Sequence, residues 1–504
     1  VEDDGTTTVD ATDGITVTAV DGGSAIDVDH TTSQKVTDLL EGEYVQLDRD
    51  LDGPGSTGQI YVYQGTDQTG VTDGIDFADS FENNPGDWAL VKDGNIVSVV
   101  DLVTSSAGTG ATGVAGAIST NDVRGGAYVI IQDVPLNVTN GNVTLSADET
   151  AVITTVVESE LHADASAPKK KSSNKGSLGG SSSDPSSLAV NGIIATNVVL
   201  SEAKAELLDS DVIDATDVDV TADNEATVNA QTVNVSTATA SKAKTKKGSG
   251  GNGSSADAIG ITLAFNSVGW NSQNILFNTV DTLIGDPAIA DAFGANLGAG
   301  ATATIKNTTI DAPGEVRAEA DASGRIEALV TNKSTSETKD KGLALGIVLS
   351  MNKVSSAANS SISYDVADGD IEITADNGVA VISKDVAEIK SDIEIESEVE
   401  IVSPSGSSSS EKSASAVAGL VSLNAVEGGA ASTVTNADVI ADAGDIVVSA
   451  EESASILADI ESEVTAIAVS FGKNKSLAVN GVIATNNVQR SADALVTDGD
   501  FNTV

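Results

Sequence analysis

Apolar and polar residues alternate along most of this chain, and a seven-residue phrase with that alternation recurs six times. Each copy begins with Val or Ile and carries Ala at its fifth position. Alternation with a period of two, bounded by turn residues, predicts half-buried β-strands. The copies are ITVTAVD at Ile15–Asp21, VTLSADE at Val143–Glu149, VDVTADN at Val218–Asn224, VRAEADA at Val316–Ala322, IEITADN at Ile371–Asn377 and IVVSAEE at Ile446–Glu452.

The spacing of the phrase predicts a repeating unit. The fifth-position alanines of successive copies are separated by 128, 75, 98, 55 and 75 residues. These intervals indicate one unit of 75 residues with insertions and deletions. One solenoid coil usually takes roughly 20–30 residues. We therefore expect each unit to hold several coils, about three at that length, or else one small β-sandwich. The alanines are Ala19, Ala147, Ala222, Ala320, Ala375 and Ala450.

A second phrase accompanies the first. It is LAVNGIIATN at Leu188–Asn197 and LAVNGVIATN at Leu477–Asn486, with looser copies between them. Like residues stacked in successive coils can satisfy one another's amides by forming a ladder. The alignment of these copies predicts a structural asparagine ladder made of Asn191, Asn266, Asn352, Asn424 and Asn480.

Polar segments rich in Ser, Gly and Lys separate the two phrases. Their composition predicts flexible loop insertions near 167–187, 241–257, 331–342 and 403–415, all leaving one face of a solenoid. These segments and a short one near 471–475 carry 14 of the 21 lysines. The chain is therefore expected to have an acidic body with one lysine-bearing edge, either as solubilising loop tips or as a contact surface for acidic partners.

Residues 33–100 differ in composition from the rest of the chain. They hold three of the five tyrosines, and the runs YVQLDRD and QIYVYQG on either side of DGPGSTG predict a β-hairpin. We expect a small inserted β-rich module between a partial repeat, 1–32, and the main repeat region, 101–504.

Asp48, Asp50 and Asp52 begin a DxDxDG pattern that suits a divalent cation, with calcium the candidate ion. The twelfth position of a calcium loop is Gln59 rather than Glu, which argues against an EF-hand.

Composition narrows the function classes. The net charge of −49 argues against nucleic-acid binding, which needs a positively charged surface. Aromatic residues are 3% of the chain, so Val, Ile, Ala, Leu and Thr must fill the interior. There is no Cys, no apolar stretch approaches the length of a membrane span, and no catalytic motif is present. We expect no enzyme activity. Because the chain begins without Met and ends partway into another unit, it reads as a fragment of a longer protein.

The alternation of the Asn phrase, a variable insert and the strand phrase resembles the giant repetitive exoproteins of Gram-negative bacteria, the filamentous-haemagglutinin-like and leukotoxin-like surface proteins. Tyr61-Val62-Tyr63-Gln64-Gly65, followed by Trp88, is similar to a module interspersed in such proteins. The resemblance implies a right-handed parallel β-helix, export to the cell surface and an adhesive or scaffolding role. It implies no catalytic residue.

We therefore predict an all-β chain, a right-handed parallel β-solenoid with loop insertions and a small inserted module. The predicted function is that of a stiff rod in an extracellular surface fibre or filament, which associates with itself, other surface proteins or polysaccharide. One alternative is a calcium-rigidified adhesin stalk of tandem β-sandwich domains, which the unit length and acidity also permit. A β-helical polysaccharide-degrading enzyme is the other alternative.

Overall fold

The computed structural model describes residues 9–12, 14–22, 96–166, 185–241, 254–270, 299–365, 372–402, 411–469 and 473–503. Between 22 and 96 it also describes 30–31, 36–37, 39, 44–46, 60–63, 68, 75, 77 and 88–90. These residues contain 25 β-strands. In chain order they are β1 (Val9–Ala11), β2 (Ile15–Gly22), β3 (His30–Thr31), β4 (Tyr44–Gln46), β5 (Ile60–Tyr63), β6 (Trp88–Leu90), β7 (Ile96–Gly108), β8 (Gly110–Gln132), β9 (Leu136–Val138), β10 (Val143–Ser166), β11 (Ser186–Leu208), β12 (Asp211–Ile213), β13 (Val218–Ser241), β14 (Ser255–Val268), β15 (Ala299–Lys306), β16 (Thr309–Ala312), β17 (Glu315–Thr338), β18 (Lys341–Ser363), β19 (Glu372–Ala375), β20 (Gly378–Val402), β21 (Lys412–Thr435), β22 (Asp438–Ala441), β23 (Asp445–Val469), β24 (Asn474–Thr497) and β25 (Phe501–Thr503).

Three parallel sheets form a β-solenoid, which confirms the predicted fold class. The short sheet stacks β1, β9, β12, β16, β19, β22 and β25. The first long sheet stacks β2 and β7 with β10, followed by β13, β17, β20 and β23. The second long sheet contains β8, β11, β14, β15, β18, β21 and β24. One coil is a short strand followed by one strand in each long sheet, and the described chain makes six such coils.

Each repeating unit is one coil, so the expectation of about three coils per unit is wrong. Ala147 pairs directly with Ala19 and Ala222, and Ala222 pairs with Ala320 in the next coil. Strands such as β10 and β17 run for 24 residues, because the alternation continues without turn residues to end it. A unit of this length therefore completes a single wide turn.

One copy of the phrase lies in a different sheet from the others. Ala375 belongs to β19 in the short sheet, where it pairs with Ala312 and Ala441. The position in line with Ala320 and Ala450 is occupied by Ser383. A short run of alternating residues fits either sheet. Strand pairing, rather than the identity of its residues, therefore sets its position in the coil.

The interior is divided along the width of the coil. Beside the short sheet, large aliphatic side chains such as Leu136, Leu145 and Leu207 fill a lumen between the three sheets. Farther out the two long sheets pack directly against each other, and alanines dominate the far end, among them Ala163, Ala189 and Ala258. Small side chains let the two long sheets approach closely. The described interior is thus filled mainly by aliphatic side chains and contains few aromatic residues, as predicted.

The inserted module is a four-stranded sheet of β3, β4, β5 and β6. The predicted hairpin is present, since β4 and β5 pair antiparallel and the Trp88 strand adds to β5. However, β2 pairs with the first part of β10, and β7 pairs with its later part. The module therefore interrupts a single coil of the first long sheet instead of lying between two units. A second interruption, not predicted, separates β14 from β15 in the second long sheet.

The predicted loop at 331–342 is wrong. Residues 331–338 complete β17, Lys341 begins β18, and only Lys339 and Asp340 form the turn. Its polar side chains are used inside: Asn332 and Ser334 point into the interior and donate hydrogen bonds to backbone oxygens of the second long sheet. The other three predicted loops lie mostly outside the described residues. Their flanking strands stack on one edge, as expected: Ser186 lies beside Ser255, which lies beside Lys341, which lies beside Ser413.

Candidate functional site in the polar interior

A ladder of asparagines crosses the six coils of the second long sheet. Each side-chain amide donates to the side-chain oxygen of the asparagine in the next coil, with N–O distances of 2.7–2.9 Å. Because an amide both donates and accepts, a stacked row satisfies itself. The members, in order, are Asn121, Asn197, Asn266, Asn352, Asn424 and Asn486.

Two of the five predicted ladder residues are not in it. Asn266, Asn352 and Asn424 are confirmed, but Asn191 and Asn480 lie six residues before the true members, Asn197 and Asn486. The phrase contains two asparagines, and only strand pairing shows which one continues the row. Asn191 and Asn480 instead bind a serine of the first long sheet, accepting from its hydroxyl at 2.7 Å in both cases.

A second polar row separates the lumen from the region where the long sheets meet. We call it the polar column. In the first long sheet it consists of the paired residues Asp21, Glu149, Asn224, Ala322, Asp385 and Glu452. In the second long sheet it consists of Gly125, Ser201, Ala299, Ser356, Gly428 and Arg490. Charged residues lie at its two ends, while its middle coils are neutral, with Asn224 donating to the Ser201 hydroxyl at 3.2 Å.

At the C-terminal end of the column, two acids share one arginine. The Arg490 side chain is 1% exposed and forms ion pairs with Asp385 and with Glu452, at 2.9 Å to the latter. It also donates to the Ser356 hydroxyl, which lies two coils away and itself donates to Asp385 at 2.7 Å. Gly428 stacks between Arg490 and Ser356, and a Cβ atom at this position would collide with the Ser356 backbone oxygen. Burial lowers the Arg490 pKa to about 10.

At the N-terminal end, the two stacked acids have no arginine. Glu149 is 2% exposed, and neither of its carboxylate oxygens has a hydrogen-bond partner. Asp21 accepts a hydrogen bond from the Gly126 backbone amide at 3.1 Å. Burial, and then the charge of Asp21, raises the pKa of Glu149 to about 7. This is the least compensated charge of the polar column.

A row of aspartates lies on the outer face of the first long sheet. Asp148, Asp223 and Asp321 pair in successive coils, and Lys384 follows in the next coil. Partial burial, together with Asp321 and Asp148, raises the pKa of Asp223 to about 6. Like charges directly opposite one another destabilise a sheet, so this row is a source of repulsion on the acidic surface.

The lysines along the loop-bearing edge differ in environment. Lys412 is buried and forms an ion pair with Asp340 of the tight turn. Lys475 is 73% exposed and lies 2.6 Å from Glu411. The lysines of the inserts 167–184 and 242–253 are outside the described residues. Some lysines of this edge are therefore buried in the fold, and others face solvent.

Asp48, Asp50 and Asp52 lie outside the described residues, so the predicted cation turn stays a prediction. Within the described part of the chain, no three His, Cys, Asp or Glu side chains cluster in a way that could hold a metal ion. His162 contacts Glu160 at 2.6 Å on the surface. Among the residues that the structure describes, no helix is long and apolar enough to cross a membrane.

Sequence reasoning missed the polar column, although a signal was present. In VTLSADE, the residues Val143, Leu145, Ala147 and Glu149 share one side of the strand, so Glu149 falls on the apolar, inward face. The same count places Asp21 and Glu452 inward. No signal marked Arg490, because its partners lie on other strands, and two of them, Asp385 and Ser356, lie in other coils.

Comparison of the chain with protein-family models, curated proteins and solved structures finds no match. The resemblance to repetitive exoproteins therefore stays an expectation, based on the sequence phrases alone.

Proposed function

We propose that this chain is a structural segment of an extracellular surface fibre, in which stacked coils form a stiff scaffold without catalysis. The observation that supports it most is the continuous register of the long sheets. Residue pairs run unbroken along whole strands from β10 to β13, β17, β20 and β23. Such a stack pairs nearly every backbone group and needs no disulfide to be rigid.

The dimensions refine this proposal. A strand of 24 residues, such as β10, is about 80 Å long, while six coils at about 4.8 Å each rise only about 29 Å. The described segment is thus wider than it is tall. A fibre built on this plan needs many coils, and its width resists bending in the plane of the long sheets.

The outermost coils present strands that can pair with another coil. In β24, side chains at positions that are half-buried inside the stack are more exposed, such as Leu477 at 55% and Ile483 at 58%. In the first coil Val114 is 70% exposed and Ile118 is 73% exposed. Extension of the stack, by further coils of a longer chain or by a second copy, would cover them.

The tandem β-sandwich alternative does not fit this architecture, because the three sheets are parallel and continuous through all six coils. For a β-helical lyase or hydrolase we find no favouring feature: the interior acids of the described coils lie between packed sheets rather than in a cleft. Adhesion to polysaccharide or to other surface proteins is proposed only for the exposed lysines of the loop-bearing edge.

Cryo-electron microscopy of native material, together with antibody labelling of intact cells, tests the proposal. We expect label on the cell surface and a broad filament with rungs about 4.8 Å apart. Label confined to the cell interior would overturn the surface assignment. Separate globular beads joined by linkers would overturn the continuous stack.

The edge is tested separately by replacing Lys169, Lys170, Lys171, Lys175, Lys242, Lys244, Lys246 and Lys247 with Gln. If the edge binds acidic partners, salt-sensitive association weakens in this variant. Unchanged association would show that these lysines only solubilise the loops.

A further inference from the structure

We propose that Asp21 and Glu149, at the N-terminal end of the polar column beside Gly125, bind one hard divalent cation, with Ca²⁺ the best match. This site is distinct from the predicted turn at Asp48, Asp50 and Asp52.

The acid pair at the C-terminal end of the polar column can be compared directly with this site. Asp21 and Glu149 stack in adjacent coils, as Asp385 and Glu452 do at the other end of the same column. In the second long sheet, Arg490 faces the C-terminal acids, whereas Gly125 stands in the corresponding row at the N-terminal end. The positive charge that the fold supplies to one acid pair is therefore missing from the other.

The missing side chain leaves space between the two carboxylates. A Cβ atom on Gly125 would lie 2.7 Å from Oε1 of Glu149 and 3.1 Å from Oδ2 of Asp21. Both oxygens thus converge on the same small volume. In a β-strand, glycine is unfavourable unless a close approach requires it, and here the close approach is by two acids.

The unmet bonding capacity points to a ligand. Both oxygens of the Glu149 carboxylate are buried and unpartnered. A buried carboxylate without a partner is costly, and proteins resolve it by pairing, by metal coordination or by protonation. No described cation lies in an ion pair with Glu149, which leaves the last two.

The donor set selects the class of ion. Carboxylate oxygens suit hard cations, and two carboxylates match a double positive charge. Asp21 lies on the exposed side of the pair, so water can complete the coordination shell. Ca²⁺ accepts irregular sets of six to eight oxygens, whereas Mg²⁺ demands a near-octahedral shell, so we expect Ca²⁺ to bind more tightly.

Isothermal titration calorimetry on the 504-residue chain after chelator treatment tests the site. We expect a Ca²⁺-binding event that Glu149→Gln weakens by at least about tenfold. Gly125→Ala should weaken it similarly, because the added methyl occupies the space between the carboxylates. The ion should also raise the melting temperature of the wild-type chain and not that of Glu149→Gln.

Matched controls separate this site from general acidity. Asp148→Asn removes a neighbouring charge from the outer face of the same strand, and Gly192→Ala adds a methyl with nothing within 4 Å. Both should retain the wild-type affinity. The combined Asp48→Asn, Asp50→Asn and Asp52→Asn variant should also retain this event, whether or not it loses another.

Three results would overturn the proposal. One is Ca²⁺ affinity unchanged in both Glu149→Gln and Gly125→Ala. Another is loss of the event in the variant with Asp48, Asp50 and Asp52 replaced. The third is the absence of any Ca²⁺ binding while Glu149 takes up a proton near neutral pH, which would assign the buried pair to proton sharing.

Discussion

The two ends of the polar column carry the same arrangement of stacked acids but differ in how the charge is met. Asp385 and Glu452 share the buried guanidinium of Arg490. Asp21 and Glu149 have only a backbone amide on Asp21 and no partner on Glu149. In a solenoid a row repeats in every coil, so a charged row brings like charges together unless the facing sheet compensates them.

The asparagine ladder shows the neutral solution to the same problem. Its members donate and accept along the row, so no facing residue is needed. The polar column instead depends on its facing row, and it becomes neutral in the middle coils, where Asn224 meets Ser201.

The largest expected effect comes from making the C-terminal end resemble the N-terminal end. Arg490→Met leaves two acids without a cation beside them, and breaking a buried pair in this way costs about 3–5 kcal/mol. Hydrogen exchange of β20, β23 and β24 measures the loss locally, which suits a repeat protein whose unfolding need not be two-state. Arg325→Met is the control, since its exposed contacts at 3.7 and 3.8 Å are worth at most about 1 kcal/mol. Equal effects of both variants would contradict the comparison.

Breaking the neutral row comes next. Asn352→Ala removes the acceptor of Asn266 and the donor of Asn424, leaving buried amide groups unpaired. We expect a loss of about 2–4 kcal/mol, measured by denaturant unfolding and by exchange of β14 and β21. Asn359→Ala, at an exposed position of the same strand, should change stability by less than about 0.5 kcal/mol. A ladder that contributes nothing would show the two variants alike.

A pH titration sharpens the difference between the ends. The pKa of Glu149 is raised to about 7 in the folded chain, above its ordinary value of 4.5. The folded state therefore binds this proton more tightly than the unfolded state. In chelator, this group makes the chain less stable as pH rises through 7, and the loss is recovered as pH falls toward 4.5. Glu149→Gln should abolish this component and, at pH 8, add about 1–3 kcal/mol to the free energy of unfolding. A pH profile identical in the two proteins would refute it.

The smallest effect is expected on the surface. Asp223→Asn relieves repulsion from Asp148 and Asp321 and should stabilise the chain by a few tenths of a kcal/mol at low salt, because solvent screens exposed charges. Asp164→Asn is the matched control, since its stacked neighbours Ala107 and Thr239 are neutral. Thermal unfolding at low and high salt measures both. A gain for Asp223→Asn that persists at high salt would mean that repulsion is not its cause.

Much of this structure could be predicted from local pattern. Alternation and repetition predicted stacked β-strands, the runs on either side of DGPGSTG predicted the inserted hairpin, and the alignment of the Asn phrase predicted three of the six ladder asparagines. The coil length could not be predicted in the same way, because a period of two says which side a residue faces and nothing about when the strand ends. The polar run at 331–338 was misread as a loop for a related reason: Asn332 and Ser334 are inward residues whose partners lie on another strand.

The sequence by itself determined that this protein is all-β, acidic and repetitive, since those properties belong to alternation and composition, which each strand carries locally. Only the tertiary structure decided that one unit makes one wide coil, which asparagine joins the ladder, and that Glu149 lacks the cation that Arg490 gives to Asp385. The physical reason is register. Residues that meet in the asparagine ladder and the polar column are separated by 23 to 134 positions along the chain, and the pairing of whole strands, rather than any local signal, brings them together.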